Sequence, residues 1–381
     1  MRLPRPTWFE IDLDAAAENL RTVRRLVGPD RKIFAVLKAD AYGFGALPMA
    51  RVFAAHGADA LAVADLAEGV RLRRHDLALP ILLYPSALPE MASEVLAHGL
   101  LPTLTDLEGA RAYSDAARGP CPVFVKVDVG LERLGVAAEQ TVKVVRAMLE
   151  LPRLRLAGLC AHPHAPPEVD AAYVEWQLAR FTGVIQELTG QGVEIPIRMV
   201  ASSRLVLRFP QTHLNAVDPG WMLYGLTMAT EALPPIPLRP AFRALKTRLI
   251  AEKEIAPRAR FADRAPFPVA EPMRLGVIPI GTADGLGTLH AGRVLVRGRA
   301  APLSGSPALE HTRVDLTAVP DARVGDEVVL IGRQGTEAIT PDEVAARHGL
   351  EPHRLALAVG PRVARVFLAG GAVAETRPRP E

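Results

Sequence analysis

Lys38 closes the apolar run Ile33–Leu37 and is followed by Ala39-Asp40-Ala41-Tyr42-Gly43-Phe44-Gly45. The run has strand length and unbroken hydrophobicity, as expected of a strand buried on both faces. A lysine at the end of such a strand loses hydration, which lowers its pKa and suits an amine that acts as nucleophile and base. The glycines permit a tight turn and a close approach of the chain to a ligand. Two later turns suit an anion. Val200-Ala201-Ser202-Ser203 and Asp218-Pro219-Gly220-Trp221 each follow an apolar run, and a serine hydroxyl beside glycine-turn N–H groups makes a phosphate cradle. Lys126 and Arg133 place two like charges in one short segment, Lys126-Val127-Asp128-Val129-Gly130-Leu131-Glu132-Arg133-Leu134-Gly135.

The elements that must position these residues follow a regular beat. Eight apolar runs alternate with helical stretches: Ile33–Leu37, Leu61–Ala64, Ile81–Tyr84, Pro102–Leu104, Val123–Val127, Leu154–Cys160, Ile197–Val200 and Leu214–Val217. Eight such runs specify an α/β fold with a closed parallel (β/α)8 barrel rather than an open doubly wound sheet. Barrel enzymes carry their chemistry at the C-terminal strand ends, with phosphate often held after the seventh and eighth strands. Ser203 and Gly220 stand at those two places. The prolines of Leu233–Pro240 mark a linker. Beyond it Leu245–Ala251, Met273–Ile280, Gly292–Val296, Val314–Leu316, Glu327–Ile331 and Val363–Phe367 read as strands of a C-terminal, mostly-β domain. The expected division is a barrel over residues 10–233 and a β domain over residues 238–381, with an N-terminal strand in residues 1–9 packing on the latter. Trp8–Leu13 alternates like a strand, and Asp14 is expected to cap a helix beginning at Ala15. The polar tail from Glu375 to Glu381 is expected to fray.

Composition excludes several classes. The 381 residues are 49% hydrophobic and 23% charged, with a formal net charge of +3 and 5% aromatics. Such a chain can build two cores. It offers no basic-aromatic surface for nucleic acid, and no apolar stretch of membrane-spanning length. The two cysteines, Cys121 and Cys160, have no metal or redox spacing, so no metal is expected and a reduced, cytoplasmic setting is.

The string Ala-Val-Leu-Lys-Ala-Asp-Ala-Tyr-Gly-Phe-Gly closely resembles the cofactor motif of the alanine racemase family, and the two-domain layout resembles that family over nearly the whole chain. The resemblance implies that Lys38 carries pyridoxal 5'-phosphate as a Schiff base, with Tyr42 near the phosphate. It implies that Ser203 and the backbone of Gly220 and Trp221 bind that phosphate, with Ser202 replacing the family's asparagine. His162 matches a histidine packed on the pyridine ring. Arg133 matches the arginine at the cofactor's phenolic oxygen and the carboxylate region, and Lys126 a lysine that is often carbamylated. The family is normally a head-to-tail homodimer in which each β domain completes the partner's active site.

Three departures stand out. The family's second base is a β-domain tyrosine, and the five tyrosines here end at Tyr224; counting back from Gly281-Thr282-Ala283-Asp284-Gly285 puts Asp263 at the lost position. His311, beside Leu309-Glu310, and His353, near the family's C-terminal phosphate tyrosine, are the other candidate bases. Asp218 replaces the arginine that faces the pyridine nitrogen; a carboxylate there favours the pyridinium and a stronger electron sink. The expected function is a pyridoxal-phosphate-dependent amino-acid racemase or epimerase with Lys38, Arg133 and Asp263 as catalytic residues. A decarboxylase, aldolase or eliminase on the same fold, and a non-catalytic cofactor-binding protein, stay open as alternatives.

Overall fold

The computed structural model describes residues 3–166, 170–226, 236–257, 264 and 266–378. Eight strands close the barrel: β1 (Lys32–Val36), β2 (Ala60–Val63), β3 (Ile81–Leu83), β4 (Leu101–Leu104), β5 (Cys121–Asp128), β6 (Leu154–Cys160), β7 (Ile197–Ala201) and β8 (Ala216–Val217). They run parallel in the order 4-3-2-1-8-7-6-5, and pairing of Thr103 with Phe124 joins β4 to β5. Each of the eight apolar runs supplies one of these strands.

Strand side chains alternate between faces, and the two faces sort into separate clusters. Phe34, Val36, Leu82, Phe124, Cys160 and Ala216 belong to a packed group inside the barrel, whereas Ile33, Ala35, Leu61, Val125, Leu159 and Val217 face the helices and join the main core. The inward parity continues past the strand ends. Two residues beyond Val36, Leu82, Phe124, Cys160 and Ala216 stand Lys38, Tyr84, Lys126, His162 and Asp218. The next inward layer is therefore polar, and it forms the floor of the site.

The second half is built around the N-terminal strand Thr7–Asp12. That strand pairs antiparallel with Phe242–Arg248 and parallel with Ala364–Ala369, at the centre of an eight-stranded sheet. A three-stranded sheet of Ala251–Ile255, Met273–Ile278 and Thr312–Asp315 packs beside it. Two short helices, Pro341–His348 and His353–Ala358, interrupt the strands. The second of these lies against the turn that follows β1.

Two local expectations are corrected. The first helix, Leu13–Val27, is capped by Asp12, whose carboxylate accepts from Ala15 N at 2.9 Å. Asp12 keeps extended backbone angles and sits outside the helix as a cap must. Asp14 is already in the first turn and accepts from Gly370 N at 2.6 Å instead. Residues 375–377 of the tail are also more ordered than their polarity suggests: Ala372–Arg377 is a strand that pairs with Ala364–Ala369, while residues 379–381 lie outside the described residues. Backbone pairing to a buried strand offsets the lack of apolar side chains there. Of the proline-rich linker, residues 233–235 lie outside the described residues.

Candidate active site

The chain turns sharply after β1, but not at the glycines. Ala39, Asp40, Ala41 and Tyr42 all hold left-handed backbone angles, with φ between 52 and 56°, and Gly43 continues at φ +86°. A left-handed turn of L-residues costs about 1–2 kcal/mol per residue, so the surroundings must hold it. Asp40 N donates to the buried Glu68 Oε1 at 2.8 Å, and Ala46 N donates to Asp40 Oδ1 at 2.8 Å. Gly45 N closes on Asp40 O at 2.9 Å. The strain places Lys38 and Tyr42 over the barrel mouth; strain of this kind concentrates at functional sites.

A cavity of about 750 Å³ opens there, lined by Lys38, Tyr42, Tyr84, Lys126, Arg133, His162, Ser203, Asp218, Gly220, Trp221 and His353 among others. The volume suits a cofactor with a small substrate. Eight of the nine residues singled out from the sequence as catalytic or cofactor-binding are in this lining. The ninth, Asp263, lies outside the described residues. His311 is exposed on a β-domain loop and does not line this chain's cavity, whereas His353 does.

At the anion end, Ser203 is buried and its Oγ accepts from Gly220 N at 2.8 Å. With a donor already supplied by the backbone, its own proton is left to give to a ligand. A Cβ on Gly220 would lie 2.2 Å from Tyr42 Oη, so only glycine lets this turn meet the tyrosine hydroxyl. Serine, turn and tyrosine thus converge on one spot.

Arg133 sits on a loop shaped by Asp128. That carboxylate accepts from Gly130 N, Leu131 N, Glu132 N and Arg133 N at 3.0–3.2 Å. Burial pushes the Asp128 carboxyl up, but the four N–H groups outweigh it and hold its pKa below the usual value. Tyr173, on the helix Ala171–Gly190 after β6, donates to Gly130 O at 3.1 Å and braces the loop.

Lys38 itself is held below the ordinary lysine pKa, chiefly by burial; Asp218 pulls it up, and Arg133 and Lys126 push it down. His162 is lowered to about 3 by burial and by the charges of Lys126, Lys38 and Arg133. It is a neutral ring at any physiological pH. Because its folded pKa lies below the ordinary 6.5, the unfolded chain binds an extra proton between about pH 6.5 and pH 3. Its contribution to stability is complete above that window and is lost as the pH falls through it. Denaturant unfolding at a series of pH values should therefore show a flatter acid loss in His162→Gln than in the parent.

Two residues were not foreseen. Tyr84 donates to Asp218 Oδ2 at 2.7 Å, and Glu68 anchors the strained turn. Tyr84 was legible in principle, since it continues the inward parity of β3; Glu68 carried no signal, because its partner is a backbone N–H. The charges of Lys126 and Arg133 face the Asp218 carboxylate across one cavity, which tempers the like-charge conflict. Lys38, Lys126 and Arg133 share the cavity with the carboxylates of Asp218 and Asp128, and the basic side chains suit an anionic ligand. Among the described residues no cluster has metal-binding composition, and no helix is long and apolar enough to cross a membrane.

Two families match the chain: alanine racemase, N-terminal domain, over residues 11–228, and alanine racemase, C-terminal domain, over residues 243–367. The sequence is similar to the alanine racemase of Halothermothrix orenii, 34% identical over 371 residues, covering 96% of this chain and 98% of the relative. It is similar to that of Desulfovibrio desulfuricans, 36% identical over 369 residues, with 96% and 98% covered. The structure is similar to alanine racemase from Clostridium difficile 630, with a TM-score of 0.91, 28% identity and 99% of both chains covered. It is also similar to alanine racemase from Bacillus anthracis with bound L-Ala-P, with a TM-score of 0.89, 28% identity, and 99% and 98% covered.

Proposed function

The chain belongs to the alanine racemase family, and from that premise we propose that it interconverts the enantiomers of alanine with pyridoxal 5'-phosphate held at Lys38. It is a racemase of the alanine racemase type: its relatives bear that name over nearly their full length. The decarboxylase, aldolase, eliminase and non-catalytic alternatives have no counterpart among these relatives. The observation that carries the cofactor reading is the convergence of a desolvated lysine, an arginine and a serine–glycine cradle on one cavity of fitting size.

The residues fit the cofactor. Ser203, the Gly220–Trp221 turn and Tyr42 would hold its phosphate, His162 its ring face, Asp218 its ring nitrogen, and Lys38 its aldehyde carbon. Bound there, pyridoxal phosphate supplies an electron sink that acidifies the Cα–H of an attached amino acid. Arg133 would orient the substrate carboxylate. The Lys38 amine, its pKa lowered by burial, would take the Cα proton on one face and return it. A second group must serve the other face. Asp263 is the first candidate, on the partner subunit in a head-to-tail homodimer with shared sites. The barrel mouth supports that assembly. Leu134 and Leu357 are 46% and 45% exposed at its rim, and Leu309, beside the Gly281–Asp284 turn, is 66% exposed. We take residues 10–233 as the cofactor-binding unit, residues 238–381 as the unit that completes a partner's site, and the cytoplasm as the setting.

The test is proton NMR of L- and D-alanine with the enzyme in deuterated water. Exchange at Cα together with loss of optical activity is expected from either enantiomer. Exchange with retention, or release of carbon dioxide or a keto acid, would refute the reaction. Mixing inactive Lys38→Ala and Asp263→Asn subunits should restore about one quarter of parental activity, because a shared-site heterodimer keeps one intact site of two. No recovery would refute the shared site or the role of Asp263.

A further inference from the structure

The floor of the cavity holds one feature that phosphate and carboxylate binding leave unused. Asp218 is buried at the end of β8, 6% exposed. Its Oδ2 is fixed by the Tyr84 hydroxyl at 2.7 Å, while its Oδ1 is buried with no hydrogen-bond partner. A buried carboxylate oxygen without a donor is costly, and a native site that retains one invites a ligand donor. Two carboxylates line the cavity among the described residues, Asp218 and Asp128. Asp128 is spent on four backbone N–H groups. Asp218 is the one left with an open acceptor.

Position narrows what that donor is. Lys38 marks where the aldehyde carbon attaches, and the Ser203–Gly220 turn marks where the phosphate ends. On the pyridine ring the nitrogen lies across from the aldehyde-bearing carbon, away from both attachments. Asp218 lies on the buried floor, two residues along the chain from Gly220 and inward by the parity of β8. Lys38, Lys126 and Arg133 carry no acceptor and cannot serve a ring N–H.

Resting on the cofactor reading above, we propose that Asp218, oriented by Tyr84 and charge-balanced by Lys126, accepts a hydrogen bond from the cofactor's ring nitrogen and keeps that nitrogen protonated. The Asp218 carboxyl is held above the usual carboxylate range, chiefly by burial, while Lys126, the Tyr84 hydroxyl and Lys38 pull it down. A cationic N–H at Oδ1 completes the set and turns a costly orphan into a charge-assisted bond. Tyr84 is a positioning residue here: its hydroxyl fixes which carboxylate oxygen remains open. Lys126 lies 6.0 Å from the centre of the Tyr84 ring, close enough to act on the pair by charge. In this arrangement the anion of the floor is Asp218, so Lys126 serves as an unmodified ammonium.

The test uses holoenzyme loaded with pyridoxal phosphate carrying nitrogen-15 in the ring. Borohydride reduction and peptide mass analysis first establish attachment at Lys38. NMR then reads the nitrogen, and its resonance should lie in the protonated range at neutral pH. Asp218→Asn and Asp218→Arg should move it to the unprotonated range, and Tyr84→Phe should lower the pH at which the proton leaves. Intact mass under bicarbonate should show no carbon dioxide adduct on Lys126. An adduct at Lys38 with an unprotonated nitrogen in the parent overturns this proposal and leaves the cofactor reading standing. A resonance unmoved in Asp218→Arg overturns it as well. Absence of any Lys38 adduct overturns the cofactor reading and this proposal together. The parental spectrum alone decides the central point should a variant fail to fold.

Discussion

Lys38→Ala should lose racemisation by about 10³-fold or more, because one substitution removes both the nucleophile and one acid–base group. The same protein should emerge from desalting without a visible absorbance band, while the parent keeps one. Folding should survive. Lys38 precedes the left-handed run, which begins at Ala39, so alanine meets no backbone penalty, and a desolvated cation is removed with it. An unchanged spectrum in Lys38→Ala would sink the cofactor assignment. Partial rescue of exchange by added small amines would identify the missing group as an amine base rather than a structural prop.

Gly43→Ala should be strongly damaging. Its φ of +86° is strained for alanine, and the new Cβ would lie 2.4 Å from Ala356 O and 2.9 Å from Leu357 N. Both are backbone atoms, so no side-chain rotation relieves the contact. The helix His353–Ala358 must retreat by about 1 Å to reach ordinary van der Waals distance. We expect a loss of about 3 kcal/mol or more in denaturant unfolding, the sum of αL strain and overpacking. Racemisation should fall by about 10²-fold, as a 1 Å misplacement of site groups can cause, since Lys38 and His353 line one cavity from the two sides of that contact. Gly99→Ala is the control. Gly99 has φ +60° but nothing within 4 Å of a Cβ, so it should cost only the strain, about 1–2 kcal/mol. Equal effects at the two positions would refute the idea that Gly43 holds the β domain against the lysine turn.

These two variants separate what was legible beforehand from what was not. The importance of Lys38 follows from its place at the end of an apolar strand. The importance of Gly43 was legible only as a general allowance for a turn. That Ala39 to Tyr42 rather than the glycines carry most of the left-handed geometry follows from Glu68, which takes the Asp40 N–H and lies outside the motif. The misplaced helix cap has a similar cause. Asp12 and Asp14 both suit the role by type, and the point where the strand Thr7–Asp12 leaves its sheet decides between them. The strand Ala372–Arg377 looked like a polar tail because its partner, Ala364–Ala369, supplies the order through backbone pairing.

The sequence by itself determined the barrel, since the eight runs carry their two-residue alternation locally and buried parallel strands must be apolar on both faces. It also singled out Lys38, Ser203 and Gly220 as candidate site residues, because those residue types sit at strand ends where a barrel exposes them. The tertiary structure decided how the floor is wired. Tyr84 and Asp218 are 134 residues apart, and only closure of the barrel from β3 across to β8 brings a hydroxyl to one carboxylate oxygen and leaves the other open. It also decided that His353, from the far end of the chain, lines the same cavity as Lys38, because the β domain folds around the N-terminal strand and returns over the barrel mouth. Local pattern fixes which side chains point inward; closure and domain docking fix which of them meet.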